Sequence, residues 1–211
     1  ALDAVELMNI GVNYLREHVT EKVRIHYAIT HGGDLPNVVP PEAEVWYFVR
    51  AHQRKELDEV ADRVRKCAQG AAIMTETTYE ERFRGGCSSV LNNHYLADLH
   101  YEAMQFVGPI EFTEEERAYA QTINDAYPAE NAENPFRNFK VPDEWQERVD
   151  ALKGQPLIGE NFPAWNQDRI GTGSTDVGDV SWITPLSMLR TACFATGAAG
   201  HSWGIAATCG M

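Results

Sequence analysis

The chain has 211 residues, of which 44% are hydrophobic and 23% are charged, a composition typical of folded globular proteins and not of disordered chains. Its 31 acidic and 18 basic residues give a formal net charge of -13, which argues against nucleic acid as a partner, because nucleic-acid binding needs a basic surface. Four cysteines without CxxC spacing predict small buried thiols in a reducing compartment, so we expect a cytoplasmic protein.

The N-terminal part of the chain predicts two helices and two strands. Apolar residues at helical spacing predict one helix over 1–19 and another over 53–69. Between these helices, residues 23–29 and 43–49 alternate apolar and polar side chains, as half-buried strands do. The segment 31–42 is rich in Gly and Pro and predicts a loop between the two strands.

A third strand, at the edge of the sheet, is predicted over 76–83, which is rich in Thr, Tyr and Phe. The resulting order α-β-β-α-β needs one further strand before residue 1 to become a βαββαβ arrangement with both helices on one face. A Gly-Gly pair followed by a new helical run through Phe106 predicts a domain boundary near 85–92.

The second part of the chain predicts helices joined by irregular segments. Thr113 and Glu116 have the spacing of a capping box, so we expect a helix from 114 to about Tyr127. The segment 128–166 contains five prolines and predicts a long connection with one short helix at 143–152.

Residues 191–211 carry no formal charge but are interrupted by four glycines. This pattern predicts buried interior and argues against a transmembrane helix, which needs a denser apolar run. The start of the chain shows no signal peptide. Because soluble domains seldom end on such an uncharged segment, we expect this sequence to be a piece of a longer chain.

Two side chains near the loop 31–42 are candidates for substrate binding. Asn37 could offer its amide to a substrate carbonyl or carboxylate, and Arg50, at the end of the next strand, could clamp a carboxylate with its planar guanidinium. The alternative interpretation is an ordinary turn built from Gly, Asp and Asn, with Arg50 paired to a surface acid.

The segment GTGSTDVGD at 171–179 and the histidine at 201 form the second group of candidates. Glycine backbone amides and the hydroxyls of Ser174 and Thr175 could hold a carboxylate or a phosphate, although the lysine of a Walker loop is missing. His201 lies in the uncharged segment and needs a hydrogen-bond partner or a metal there. Asp176 and Asp179 would add one edge of a metal site and too few ligands to complete it.

Together, the segments ALDAVELM, ITHGGDLPNVVPPEAEVWYFVRA, GSTDVGDVSWITP and GHSW resemble the metal-dependent amidohydrolases of the aminoacylase and glutamate-carboxypeptidase family. The resemblance implies an α/β fold in which a ferredoxin-like βαββαβ lid, an α+β domain that also dimerises, interrupts an α/β metallohydrolase catalytic domain. Residues 1–87 would be the lid without its first strand, and residues 88–211 the incomplete C-terminal part of the catalytic domain.

The same resemblance implies roles for individual residues. His201 matches a metal ligand, Asn37 the lid asparagine and Arg50 the arginine that follows it. The turn that receives a substrate carboxylate is matched by Gly173, Ser174 and Thr175, and Asp176 matches the acid beside it. The family's His-x-Asp and Glu-Glu pairs precede the lid in sequence and have no counterpart there in this chain, so none of its residues is assigned a catalytic role.

The function implied by the resemblance is hydrolysis of an N-acyl amino acid by a water that two divalent ions, zinc or manganese, activate. The implied assembly is a homodimer through the lid, with a hetero-oligomer of related subunits as the alternative, and neither nucleic acid nor membrane is expected as a partner. We expect this chain alone to be inactive, because it holds one metal ligand of about five. Two other functions stay open: a non-enzymatic α/β binding or assembly module, and a phosphate-binding α/β domain using GTGST.

Overall fold

The computed structural model describes residues 1–137, 139–165, 170–171 and 173–209. It divides into two compact units, the first containing Ala1–Ser89 and a short segment that ends at Asp179, the second containing the remaining described residues. The division after Ser89 falls in the region where the sequence predicts a boundary, and the assignment of the units to a lid and a catalytic domain stays a prediction. None of the described helices is both long and apolar enough to cross a membrane.

The first unit contains two helices and a β-hairpin, all of which the sequence predicts. The elements are α1 (Leu2–Leu15), β1 (Arg24–His31), β2 (Glu44–Arg50) and α2 (Arg54–Met74). Helix α1 continues into a short 3-10 turn, Arg16–His18, and packs against α2. The predicted helix 53–69 is therefore confirmed, and α2 continues beyond it by more than one turn.

The antiparallel hairpin has one face toward the helices and one face away from them. Ile25 lies opposite Val49 and Tyr27 lies opposite Tyr47, and these side chains belong to the face that packs on the helices. Because side chains alternate along a strand, their neighbours lie on the opposite face. The buried residues of the resulting core are Val12, Leu15, Val23, Ile25, Val60 and Val64.

One polar pair also joins α1 to the hairpin. The hydroxyl of Tyr47 donates a hydrogen bond to the side-chain oxygen of Asn9, which is only 5% exposed. Burial raises the pKa of the Tyr47 hydroxyl, so this group stays protonated and keeps donating. The buried amide oxygen is thereby satisfied, as a stable interior requires.

The predicted third strand over 76–83 is wrong, because the described residues of this segment belong to no strand. Its side chains bind α2 instead: Arg65 donates to both carboxylate oxygens of Glu81 at 2.9 and 3.0 Å, and Gln69 donates to the hydroxyl of Tyr79. The described sheet thus has two strands, and the expected ferredoxin-like arrangement is not observed.

The second unit is helical, with irregular connections. The predicted capping box is confirmed, since the Thr113 hydroxyl accepts from the backbone of Glu116 while the Glu116 carboxylate accepts from the backbone of Thr113. The helix at 143–152 has the predicted bounds, whereas the one that begins at Glu114 ends three residues before Tyr127. The helices after residue 90 are α3 (His94–Val107), α4 (Glu114–Asn124), α5 (Ala129–Glu133), α6 (Asp143–Leu152), α7 (Val177–Ser181), which has residues in both units, and α8 (Trp203–Thr208).

The segment after residue 190 is only partly buried, which corrects the expectation that it forms interior. Ala195 is fully buried beside Ala120 and Leu157, and the amide of Gly197 donates to the side-chain oxygen of Asn124 at 2.8 Å. By contrast, the Trp203 side chain is 88% exposed. Glycine makes the close contact here, because a Cβ at Gly197 would lie 2.8 Å from the side-chain oxygen of Asn124.

All four cysteines are free thiols, yet the expectation that they are buried is wrong for three of them. Cys67 is half-buried against the core of the first unit, where burial raises the pKa of its thiol, while the other three are exposed. The spacing of cysteines bears on disulfide pairing and metal binding and not on depth, so it could not show which thiols are exposed.

We predict that Val12→Ala destabilises the first unit by roughly 2 kcal/mol, because Val12 is fully buried and its truncation leaves a cavity between α1, α2 and the hairpin. Urea unfolding followed by circular dichroism measures the change. The matched control is Ile10→Ala on the same helix, where the side chain is 50% exposed and we expect about 0.5 kcal/mol or less. Equal losses in the two variants would contradict this description of the core.

Candidate functional site

Asn37 lies at the tip of the loop that joins β1 to β2. The amide of Val38 donates to the carbonyl of Leu35 at 3.1 Å, which closes a β-turn with Pro36 at its second position and Asn37 at its third. The Asn37 side chain is exposed and has no hydrogen bond to any described residue. The backbone of this segment therefore forms a turn, as the alternative interpretation of the loop expected. The side-chain amide of Asn37 is still available for a ligand.

Beside this turn lies a shallow cavity of ≈ 240 Å³. Gly33 has a φ of 106°, a backbone conformation that favours glycine and allows the close approach to Pro40. With Asp34 and Glu42 in its wall, the cavity repels carboxylates, so Asn37 is better placed to donate to a neutral carbonyl oxygen. The complete wall is formed by His31, Gly33, Asp34, Leu35, Val38, Pro40, Pro41 and Glu42.

Arg50 lies at the opposite end of the hairpin from Asn37. Strand β2 runs from Glu44, next to the loop, to Arg50, and at ~3.3 Å per residue these seven positions span about 20 Å. The two side chains are therefore not brought together around one carboxylate by this hairpin. The residue directly across from Arg50 is Arg24, the first residue of β1.

The bend 173–176 precedes the short helix α7 and is largely exposed. The Thr175 hydroxyl accepts the amide of Val177 at 3.4 Å, so this candidate ligand group is used to begin the helix. Gly173 and Ser174 make no hydrogen bond with the described part of the chain. The Ser174 hydroxyl is the group of this bend that stays available for a substrate carboxylate.

Asp179 does not act as a metal ligand in this structure but joins the bend to a distant segment of the first unit. Its carboxylate accepts the backbone amide of Ser88 at 2.8 Å. The hydrogen bonds from the Ser88 hydroxyl and the Ser88 backbone lower the pKa of this carboxyl. A Cβ at Gly178 would overlap the carbonyl oxygen of Ser88, so this close approach requires glycine.

His201 belongs to the second unit, where its ring is exposed and not buried as its uncharged surroundings suggested. Its backbone adopts a φ of 58°, a left-handed conformation that is uncommon outside glycine. The next residue is firmly held, since the hydroxyl of Tyr127 donates to Ser202 at 2.7 Å and accepts the amide of Gly204 at 3.0 Å. Among the described residues, the ring belongs to no group of three side chains that could hold a metal ion.

The described residues do not form a metal centre. Nowhere in the part of the chain with described coordinates do three His, Cys, Asp or Glu side chains approach closely enough to hold an ion. A hydrolytic metal site needs about three protein ligands and one open position. One exposed imidazole at His201 does not meet this requirement, so the described residues alone cannot carry a metal-activated step.

Sequence reasoning overlooked the residues that share a face with Arg50. Arg24 lies across from Arg50 in the neighbouring strand. The rings of Trp46 and Phe48 belong to the same face, with centroids 5.1 Å apart and planes tilted by 39°. The alternation of the strands already placed these positions on the polar side. Only the cross-strand register could show that Arg24 and Arg50 are neighbours.

Comparison with known proteins gives one family match and three similar proteins. Residues 3–74 match the family model of a peptidase dimerisation domain, M20_dimer. The chain is 42% identical over 206 residues to one of the subunits of the p-aminobenzoyl-glutamate hydrolase of Escherichia coli (strain K12), a match that covers 96% of this chain and 43% of that protein. The chain therefore spans less than half the length of this relative.

Two mammalian proteins are similar over a shorter stretch. Xaa-Arg dipeptidase of Mus musculus is 31% identical over 117 residues, and its counterpart in Homo sapiens is 32% identical over 119 residues. Each match covers 55% of this chain and 27% of the dipeptidase.

We predict that the hydrogen bond between Ser88 and Asp179 is lost at acidic pH. The folded pKa of Asp179 lies below its ordinary value, so the bond contributes fully above the ordinary pKa and is lost as pH falls through the lowered pKa. The amide chemical shift of Ser88, followed by NMR against pH, reports this loss. Asp179→Asn should abolish the titration, whereas the control Asp176→Asn should leave it unchanged; a Ser88 shift that still titrates in Asp179→Asn would contradict the assignment.

Proposed function

Because the chain belongs to the M20 peptidase family, we propose that the protein containing it hydrolyses the amide bond of an N-acyl amino acid. The substrate we favour is p-aminobenzoyl-glutamate, which would be cleaved to p-aminobenzoate and glutamate, since it is named in the relative that matches 96% of this chain. The proposal concerns the whole protein, and this chain would contribute its dimerisation domain and part of its substrate contacts.

The exposed amide of Asn37 is the observation that carries the proposal. It lies at the tip of a closed turn without any described hydrogen-bond partner, and the turn fixes its backbone. A side-chain donor held in this way can stabilise the oxyanion that forms when water attacks an amide carbonyl. The acidic cavity next to it favours the carbonyl over the carboxylate of the substrate.

Carboxylate recognition falls to Arg50 and to the bend with Gly173, Ser174, Thr175 and Asp176. Arg50 offers a planar fork of donors that matches a carboxylate. About 20 Å of β2 separates Arg50 from Asn37. Within one chain, the two side chains would therefore bind different groups, and in a homodimer they would belong to different binding sites. Ser174 adds a hydroxyl donor, and Asp176 would orient its neighbours.

The metal ions of the whole enzyme, zinc or manganese, would activate the attacking water. The described residues form no such centre, so we propose that His201 supplies one ligand and that this chain by itself is inactive. The four free thiols fit a reducing, cytoplasmic compartment.

Release of p-aminobenzoate from p-aminobenzoyl-glutamate tests the proposal. We expect the complete product of the gene to release it after loading with zinc or manganese, and the 211-residue chain to release none. In the complete protein, Asn37→Ala should lower kcat by roughly 10²- to 10³-fold, as the loss of an oxyanion donor does. The matched control Asn13→Ala removes an exposed asparagine from α1 and should leave kcat unchanged.

Two results would overturn this proposal. One is hydrolysis by the 211-residue chain at a rate that a chelator does not change, since the activity would then need no metal. The other is an Asn37→Ala variant with unaltered kcat and KM, since the carbonyl of the substrate would then lie elsewhere.

We also propose that the chain forms a homodimer through its first unit, because residues 3–74 match a dimerisation domain and both strands of the described sheet have an unpaired edge. Sedimentation equilibrium should give a mass twice that of one chain. A monomer at all accessible concentrations would contradict the homodimer and favour a hetero-oligomer with a related subunit. A dimer whose complete protein shows no hydrolase activity would instead support the non-enzymatic assembly module.

A further inference from the structure

The face of the β1–β2 hairpin that points away from the helices carries two arginines next to two aromatic rings. We propose that this outward face binds a small aromatic ligand with two carboxylates. Arg24 is its second carboxylate-binding residue beside Arg50, and the rings of Trp46 and Phe48 receive its aromatic group. The inference rests on the proposed function in one respect, which is that Arg50 binds a substrate carboxylate.

Arg24 and Arg50 form a direct cross-strand pair. Side chains at such positions lie on the same face, with Cβ atoms roughly 5 Å apart, and like charges there repel each other. Both residues are exposed. A dianion between the two guanidinium groups would weaken this repulsion and form charge-assisted hydrogen bonds with both.

The Arg24 guanidinium is fixed by its own backbone and still has free donors. Its Nη1 donates to the carbonyl of Val23 at 2.8 Å and to the carbonyl of Glu21. No described residue accepts a hydrogen bond from its Nε or Nη2. A guanidinium already held at one nitrogen loses less freedom when it binds a carboxylate, so it is prepared for a ligand.

The aromatic platform lies directly beside the arginine pair. Trp46 is 41% exposed and Phe48 is 51% exposed, their centroids lie 5.1 Å apart, and Arg84 lies over the Trp46 ring at 5.3 Å. Phe48 precedes Arg50 by two residues on the same face, so their Cα atoms lie roughly 7 Å apart along the strand. A ring and a carboxylate joined through one amide bond have a similar separation.

The charges on this face favour an anion at the arginine end. Glu44 is the acid of the outward face, and it lies at the loop end of β2, where its carboxylate accepts the hydroxyl of Thr30.

Calorimetric titration of the 211-residue chain with three probes tests the inference. The probes are p-aminobenzoyl-glutamate, p-aminobenzoyl-glycine, which has one carboxylate, and N-acetyl-glutamate, which lacks the ring. We expect p-aminobenzoyl-glutamate to bind most tightly. Arg24→Gln should weaken its binding roughly tenfold and change that of p-aminobenzoyl-glycine little, as the loss of one charge-assisted contact does.

Variants on both sides of the sheet make the test specific. Trp46→Ala should remove the advantage of p-aminobenzoyl-glutamate over N-acetyl-glutamate. The control Lys55→Gln deletes one positive charge from α2, where the side chain is 88% exposed, and should leave all three affinities unchanged. Circular dichroism and thermal melting confirm that each variant is folded as the unaltered chain is.

Each remaining outcome decides the inference. The inference is overturned if no probe binds, which is the result expected if a second copy of the chain covers this face. It is also overturned if Arg24→Gln weakens the binding of both p-aminobenzoyl probes equally. Binding that depends on Arg24, together with a metal-loaded complete protein that shows no hydrolase activity, supports the site and rejects the proposed function. Hydrolase activity together with unaltered probe binding in Arg24→Gln supports the function and rejects this site.

Discussion

Burial of one face of the β1–β2 hairpin against α1 and α2 is the constraint on which the candidate site depends. Ile25 and Val49 are opposed on that face, and Val12 closes the core from α1. Since the side chains of a strand alternate, burying this set necessarily presents Arg24 and Arg50 on the other face. A shift of one strand by one residue would turn its arginine toward the helices, so the hydrophobic core itself keeps the two arginines on the outward face.

The two ends of this hairpin suit different parts of one substrate class. At the loop end, acidic side chains and an uncommitted Asn37 amide suit a neutral carbonyl oxygen. At the other end, the arginine pair suits carboxylates. The separation of these chemistries by the length of β2 fits a domain that contributes to sites formed with other chain segments, as expected for a chain that spans 43% of its bacterial relative.

The described residues of the second unit add no active-site geometry to the family match. Its helices were predictable from capping and spacing, as Thr113 and Glu116 illustrate. The exposure of His201 was not predictable in this way, because an uncharged segment can lie at the surface as well as in the interior. The described residues contain no group of three metal-ligating side chains, so the local geometry does not itself support the proposed metal chemistry.

The sequence by itself determined the two helices, the two strands and the polar character of the outward face, because helical and strand periodicities are local properties of about ten to twenty residues. It failed at 76–83, where the composition suited a strand but Glu81 pairs with Arg65 on α2. Tertiary structure alone decided that Arg24 lies across from Arg50 and that Asn37 lies far from both. These relations depend on strand register and loop closure, which join residues distant in the chain and leave no periodic signal within it.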